Sequence, residues 1–342
     1  MFLTLPASAS LSSQGYGLRH AGAPVTSASV SAGADSFVHH AFYYEDLDEY
    51  AEVTEAFVGE GLGRDEAVLV AVPTARFDLL RRRLPRDEPH LQLVDMSRPG
   101  RNPGRIIPLW HDFVTENTDA GRGVRGIGEP VWAGRTPAEL AECQWHEMLL
   151  NLAFANAPAF PLMCPYDVSG LDPATLDAAR RSHPLTYSHG RFERSEVFAG
   201  VPDPSEDFDV PLENAPPSAD MLAFDADGLV EVRRLVFERA IAAGLRPHQA
   251  ADLVLAANEV ATNSLRHGGG DGVARVWSDG DRVVCDVRDA GRIGQALVGR
   301  RRAALNSSGG RGLWLVHQLC DLVELRSNDG GTAVRMSIYL PR

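Results

Sequence analysis

The sequence contains no lysine, and all 33 of its basic residues are arginine. P-loop ATPases place a lysine on the β- and γ-phosphates of their nucleotide, and eukaryotic-type protein kinases carry one on their third strand. Schiff-base enzymes also need a lysine amine. The chain therefore belongs to none of these three classes, and any ATP site in it must hold the phosphates by other means.

Long apolar runs and closely spaced cysteines are also missing. Nowhere do about 18 apolar residues follow one another, and the N-terminus lacks the basic start of a signal peptide. The cysteines form no C-x-x-C pair and are expected to be reduced; they are Cys143, Cys164, Cys285 and Cys320. We expect a cytoplasmic protein without a membrane span. Its net charge of −13 makes direct binding to nucleic acid unfavourable.

Composition divides the chain into four parts. Residues 1–35 are rich in Ser, Ala and Gly and are expected to be disordered. Residues 36–198 alternate between strand-like and helix-like patterns, which predicts an α/β domain. Residues 199–219 hold five prolines and five acidic residues, a composition typical of an extended linker. Residues 220–342 form a second predicted α/β domain.

Hydrophobic periodicity and turn signals predict the main elements of both domains. In the first domain, strands are expected at 66–73, 91–96 and 159–167, and helices at 47–62, 76–84 and 136–156. The last of these helices has Thr136 as its N-cap and Pro137 at its first position. In the second domain, helices are expected at 228–244, 247–268 and 311–321, and strands at 273–279, 282–289, 322–328 and 332–340.

One polar pair lies on a largely apolar predicted helix of the second domain. Glu259 and Asn263 are four residues apart and therefore project from the same face. A carboxylate and an amide left unpaired on a buried face cost roughly several kcal/mol, so a partner is expected. An isolated E-x-x-x-N is more often a surface pair whose two side chains hydrogen-bond to each other or to a turn. A ligand site at Glu259 and Asn263 therefore depends on motifs nearer the C-terminus.

Three such motifs succeed one another along the chain. Asp289 ends a predicted strand ahead of Ala290 and Gly291, where its carboxylate can accept a hydrogen bond from the amine of adenine. Glycines at 309, 310 and 312 surround Arg311 before a helix, and free N–H groups at a helix N-terminus bind phosphate. Finally, Gly330-Gly331-Thr332 opens the last strand, which is expected to return beside the strand that ends at Asp289.

This order of motifs resembles the GHKL (Bergerat) ATPases. Within them, NEVATNSLRHG, VRDAG and GGRGLWLVHQLCD are most similar to the anti-sigma factor serine/threonine kinases. The resemblance implies an α/β sandwich, a mixed sheet with helices on one side and Mg-ATP between them. It implies that Glu259 is the general base, that Asn263 ligates Mg²⁺ and that Asp289 reads adenine. The other nucleotide-binding residues it implies are Gly291 for clearance, Gly310, Arg311 and Gly312 at the phosphates, and Thr332 at the adenine end.

The resemblance also implies a substrate, an anti-anti-sigma protein of the STAS type. A pure binding module that sequesters a sigma factor or a STAS protein is the alternative, and homodimerisation is left open. A histidine autokinase is disfavoured because residues 199–219 contain no histidine. The glycine motif that begins at Asp289 departs from the D-x-G-x-G pattern of this family, since it reads DAGRIG. Residues 292–308, which contain Arg300, Arg301 and Arg302, are expected to form a solvated lid over the nucleotide. Contact of these arginines with phosphates or with a partner is the alternative.

The first domain resembles the MEDS sensory domain. The similar strings are FYYEDLDEYAEVTEAFVGEGL, GRNPGRIIPLW, VRGIGEPVW and LMCPYDVSGLD. The resemblance implies a RecA-like α/β layout and an unknown small-molecule signal. The strand 66–73 is followed by PTAR, without glycine or lysine, so no ATP is expected there. GRNPGR at 100–105 is interpreted as a structured turn, with an anion site as the alternative.

A polar stripe marks the helix 136–156, where Glu139, Cys143 and His146 are spaced at i, i+4 and i+7. Cys143 and His146 suggest a metal or redox sensor if Cys164 and His39 or His40 join them. Because no second close ligand pair exists, a buried thiol and a hydrogen-bonded histidine are favoured. A further hypothesis has His146, Glu129 and Arg125 lining a ligand pocket.

Overall fold

The computed structural model describes residues 37–200, 211–302 and 311–341. The expected disorder at 1–35, residues 201–210 of the predicted linker, residues 303–308 of the predicted lid and the predicted phosphate-binding residue Gly310 lie outside these ranges. No helix within the described ranges is long and apolar enough to cross a membrane.

The first domain is built on a seven-stranded sheet. Its strands are β1 (Val38–Tyr44), β2 (Ala67–Val72), β3 (Leu91–Asp95), β4 (Val124–Gly128), β5 (Pro161–Asp167), β6 (Leu185–Ser188) and β7 (Arg191–Arg194). The spatial order is β3-β2-β4-β5-β1-β6-β7, and only the β6–β7 hairpin is antiparallel. The central strands β2 and β5 are apolar on both faces because helices cover both sides of a parallel sheet.

Five helices cover this sheet. They are α1 (Leu47–Gly63), α2 (Thr74–Arg83), α3 (Ile106–Asp119), α4 (Pro137–Ala153) and α5 (Pro173–Ser182). One core, with Phe42, Tyr44 and Val70, packs under α1 and α2. The opposite core, with Ala41 and Tyr43, packs under α3, α4 and α5. The start of α4 confirms the predicted cap, since the Thr136 side chain accepts a hydrogen bond from the Glu139 amide.

The strand β4 was not predicted from the sequence, because it reads VRGIG and glycine is unfavourable in strands. The structure explains the glycines of β4. A Cβ atom at Gly126 would lie 2.5 Å from the Trp110 ring on α3. The buried tryptophan therefore packs directly against the β4 backbone, which only glycine permits. The helices α3 and α5 were also missed.

The described part of the second domain places three helices against a five-stranded sheet. Its elements are β8 (Asp220–Phe224), α6 (Leu229–Ala242), α7 (Pro247–His267), β9 (Gly272–Asp279), β10 (Arg282–Asp289), α8 (Arg311–Leu319), β11 (Leu322–Asn328) and β12 (Gly331–Tyr339). The order is β11-β12-β10-β9-β8, and every pair is antiparallel. The two-layer sandwich is confirmed, but the expected mixed sheet is wrong, because short turns such as SDGD and NDGG can join only antiparallel strands.

Candidate nucleotide-binding site

A cavity of about 300 Å³ lies between α7, the end of β10, β12 and the start of α8. Its wall contains these residues: Val260, Asn263, His267, Gly268, Asp289, Gly291, Arg292, Ile293, Val298, Gly312, Leu313, Thr332 and Val334. Five of the residues proposed from the sequence, Asn263, Asp289, Gly291, Gly312 and Thr332, are in this set. The structure therefore brings together motifs that are far apart in the chain.

The Asp289 carboxylate is held at one end of the cavity by two hydrogen bonds. The Gly291 amide donates to its Oδ1 at 2.8 Å, and the Ser264 hydroxyl donates to its Oδ2 at 2.6 Å. Asp289 is the last residue of β10, so its side chain leaves the sheet where the chain turns. With both oxygens fixed in direction, the carboxylate is preorganised to accept a hydrogen bond from a ligand amine.

Thr332 pairs with Asp289 across the β10–β12 ladder. Its hydroxyl lies 2.9 Å from the Gly291 carbonyl, to which it donates, and 2.8 Å from the Ser327 hydroxyl. Ser327 in turn accepts from the Ile293 amide at 2.8 Å. These bonds fix the turn after β10. Sequence reasoning missed Ser264 and Ser327, although Ser264 lies within the NEVATNSLRHG string.

Two glycines allow the chain to pass close to Asp289. A Cβ atom at Gly291 would lie 2.6 Å from the Gly268 Cα and from the His267 carbonyl oxygen. A Cβ atom at Gly268 would lie 2.4 Å from the Asp289 Cγ. Both positions therefore require glycine, because the end of α7 and the turn after β10 pack directly against each other.

At the other end of the cavity, α7 faces the N-terminus of α8. A Cβ atom at Gly312 would lie 2.9 Å from Glu259 Oε2 and 3.5 Å from Asn263 Nδ2. Glu259 and Asn263 are partly buried, and Arg311 is the first residue of α8. A carboxylate, an amide and a helix N-terminus therefore meet at one point, a combination suited to phosphate and a divalent cation.

Of the three arginines in the predicted lid, only Arg300 departs from the expected solvation, since Arg301 and Arg302 are exposed. Arg300 is 3% exposed and donates to Glu142 of α4 at 3.0 Å. Arg301 donates to the Ala153 carbonyl at 2.9 Å, also in the first domain. Arg300 is attached to the first domain because the buried Glu142 carboxylate requires cationic partners.

The segment 100–105 contacts the opposite end of α8. The Asn102 amide donates to the His317 carbonyl at 3.0 Å, and Arg105 donates to the carbonyls of His317 and Cys320, each at 2.7 Å. The last carbonyls of a helix have no partner within it, and a cation there is favourable. The segment is a structured turn, as favoured from the sequence, and the first domain caps the C-terminal end of α8.

The proposed pocket of His146, Glu129 and Arg125 is wrong. Arg125 and Glu129 lie on the α1 side of the first sheet, where Arg125 donates to Glu66 at 2.6 Å. The Tyr44 hydroxyl donates to Glu129 at 3.4 Å, and burial raises the pKa of Glu129 to about 8. His146 lies on α4, on the other side of the sheet, and burial lowers its pKa to about 3.

Cys143 and His146 are not brought together with the other proposed metal ligands. The Cys143 thiol donates to the Pro130 carbonyl at 3.2 Å, and burial raises its pKa to about 12. His39 and Cys164 meet Glu147 and His183 instead. His40 projects from the opposite face of β1, against Phe57 and Phe192.

Comparison with known proteins gives two family matches. Residues 38–184 match the model of the MEDS domain, the methanogen/methylotroph DcmR sensory domain. Residues 222–338 match the model of the histidine kinase-like ATPase domain. A comparison with curated proteins finds no match.

Two solved structures are similar to parts of the chain. The RsbU and RsbW domains of Rv1364c from Mycobacterium tuberculosis are 22% identical over 38% of this chain, with a TM-score of 0.29, and the chain spans only 34% of that structure. The histidine kinase AdeS from Acinetobacter baumannii is 11% identical over 59% of this chain and 96% of its own, with a TM-score of 0.23. The two family matches agree with the α/β sheets and the cavity described above. The chain thus combines a MEDS sensory domain with a histidine kinase-like ATPase domain.

Proposed function

We propose that this protein is an ATP-dependent serine/threonine kinase that phosphorylates an anti-anti-sigma protein of the STAS type under control of its sensory domain. The observation that carries the proposal is the position of Glu259 beside Gly312 at the start of α8. A site that only binds nucleotide needs Asp289 and the glycines. It has no need of a carboxylate at the phosphate end, whereas a kinase needs one to accept a proton.

Bound Mg-ATP would supply the γ-phosphoryl group and a cation that neutralises its charge. Glu259 would accept the proton of the attacking Ser or Thr hydroxyl. The new bond joins that oxygen to the γ-phosphorus, and the bond from phosphorus to the bridging oxygen breaks, which releases ADP. Asn263 would offer its amide oxygen to Mg²⁺, and Asp289 would accept a hydrogen bond from adenine.

The remaining residues would surround the nucleotide. Gly310, Arg311 and Gly312 would hold the phosphates on the N-terminus of α8. Gly291 would give clearance beside adenine, and Thr332 would support that end through its bond to the Gly291 carbonyl. Glycine at position 312 keeps this end of the cavity open, because a side chain there would meet Glu259.

Control by the sensory domain would act through α8. Asn102 and Arg105 bind the carbonyls at the C-terminal end of α8, the helix whose N-terminus would hold the phosphates. A signal that moves the segment 100–105 would change the position of α8. In this proposal residues 36–198 form the sensor, 199–219 the linker and 220–342 the kinase.

The test is phosphate transfer from labelled ATP to a purified candidate STAS protein by the full chain. We expect Glu259→Gln to bind ATP as the wild type does but to transfer phosphate about 10²–10⁴-fold more slowly. Equal transfer by both proteins would refute the catalytic role. ATP binding by the wild type without transfer to any STAS protein would favour the sequestering module.

A further inference from the structure

The Glu147 carboxylate lies at the centre of a buried cluster in the sensory domain. His39 comes from β1, Glu147 from α4, Cys164 from β5, and His183 comes directly after α5. All four are at most 1% exposed. One potential ligand atom from each lies within 4.8 Å of all the others. The function proposed above uses none of these side chains.

Hydrogen bonds around the cluster fix the protonation of both imidazole rings. The Asn151 amide nitrogen donates to the Ser182 carbonyl at 2.8 Å, so Asn151 Oδ1 points toward His39 Nδ1 at 3.2 Å and can only accept. His183 Nδ1 lies 2.8 Å from the Ala179 carbonyl, which also can only accept. Each ring therefore carries a proton on Nδ1, and a neutral ring presents a bare Nε2 to the cluster.

These bare nitrogens face an acceptor. His39 Nε2 lies 3.1 Å and His183 Nε2 lies 3.3 Å from the same oxygen, Glu147 Oε2. Among the described residues, Glu147 Oε1 and His183 Nε2 have no hydrogen-bond partner. One added proton would satisfy only one ring, and two would place two cations beside one carboxylate in the interior. A bound cation satisfies both bare nitrogens and Glu147 Oε2 together.

The spacing suits a tetrahedral metal ion. Metal–ligand distances of about 2.0–2.3 Å place the ligand atoms of such a site about 3.3–3.6 Å apart. The distance from His39 Nε2 to Cys164 Sγ is 3.3 Å, and the two nitrogen–carboxylate distances are 3.1 and 3.3 Å. Metal-bound histidines usually donate a hydrogen bond from their other ring nitrogen to a carbonyl or carboxylate. Asn151 accepts this bond from His39, and the Ala179 carbonyl accepts it from His183.

We propose that His39, Glu147, Cys164 and His183 bind one divalent transition-metal ion of the zinc class. Two imidazoles and a thiolate exclude magnesium and calcium, which take oxygen ligands. Binding releases the Cys164 proton to solvent, so two anionic ligands balance the charge of the ion and the buried centre is neutral. Four protein ligands leave no open position, which indicates a structural or sensing site.

The test uses the full chain, freed of metal with a chelator and then supplied with Zn²⁺ or Co²⁺. We expect one equivalent of Zn²⁺ to remain after gel filtration, and the Co²⁺ form to show a thiolate-to-cobalt charge-transfer band. Cys164→Ser should abolish this band, whereas the matched control Cys143→Ser, another buried thiol of the same domain, should keep it. A band that survives Cys164→Ser, or a wild type that retains no metal, would overturn the proposal.

A measurement on the unaltered chain covers the case in which Cys164→Ser does not fold. X-ray absorption at the zinc edge of the wild type should show one sulfur ligand and three nitrogen or oxygen ligands. A shell without sulfur would place the bound ion elsewhere and refute the site.

Discussion

The Glu142 carboxylate on the sensory helix α4 accepts a hydrogen bond at 3.0 Å from Arg300 of the ATPase domain. A second bond comes from Arg326 on β11 at 2.6 Å. Glu142 is 1% exposed and Arg300 is 3% exposed. The two domains are therefore joined by a desolvated ion cluster, which tolerates little change in geometry, rather than by a loose surface contact.

We expect Glu142→Gln to destabilise the protein strongly. Removing one partner of a buried ion pair leaves the other charge without compensation and costs about 3–5 kcal/mol. Urea unfolding should show this loss. The matched control is Glu55→Gln, because Glu55 pairs with Arg83 at 3.3 Å and both are 38% exposed. Such a surface pair contributes about 0–1 kcal/mol. Equal losses in the two variants would contradict the importance of the domain contact.

Asp289→Asn should weaken ATP binding by at least about tenfold. The Asn side chain cannot accept hydrogen bonds from the ligand amine, the Gly291 amide and the Ser264 hydroxyl together, as the carboxylate does. A hydrogen bond to a charged group contributes about 1.5–3 kcal/mol to binding. Calorimetric titration with ATP measures the change. Asp279→Asn is a suitable control, since Asp279 pairs with Arg282 at the far end of the β9–β10 hairpin. Unchanged affinity in Asp289→Asn would remove Asp289 from the site.

How far the sequence predicts this molecule depends on the separation of the groups in the chain. The sequence alone predicts the motifs of the nucleotide site, because each of their residues belongs to a short segment with its own turn or helix signal. These residues are Glu259, Asn263, Asp289 and Gly312. Glu142 and Arg300 are 158 residues apart, and no local pattern links them. The buried cluster around Glu147 likewise takes one residue from each of four segments. Only the tertiary fold shows that Glu147 and His183, and not Cys143 and His146, lie beside His39 and Cys164.

Gly291→Ala should abolish nucleotide binding and lower stability. The added methyl group would lie 2.6 Å from the backbone at Gly268 and His267, so the turn that holds Asp289 would have to move. Gly294→Ala is the control from the same segment, since a Cβ atom there has no neighbour within 4 Å. We expect Gly294→Ala to bind ATP as the wild type does. Equal binding by both variants would show that clearance at Gly291 is not required.

The pKa of Glu129 predicts how stability depends on pH. Burial raises this pKa from 4.5 to about 8. Between these values the folded protein keeps a proton that the unfolded chain has lost, so the free energy of unfolding falls as pH rises. The slope from this group is at most about 1.4 kcal/mol per pH unit.

Glu129→Gln should remove this dependence, because the amide mimics the neutral acid and does not titrate. We therefore expect the variant to gain stability relative to the wild type as pH rises from 5 to about 8, as measured by urea unfolding at several pH values. Glu52→Gln, an exposed position on α1, should leave the pH profile of the wild type unchanged. A difference between Glu129→Gln and wild type that stays constant across this range would mean that Glu129 is ionised in the folded protein, with Arg76 at 3.7 Å as its counter-ion.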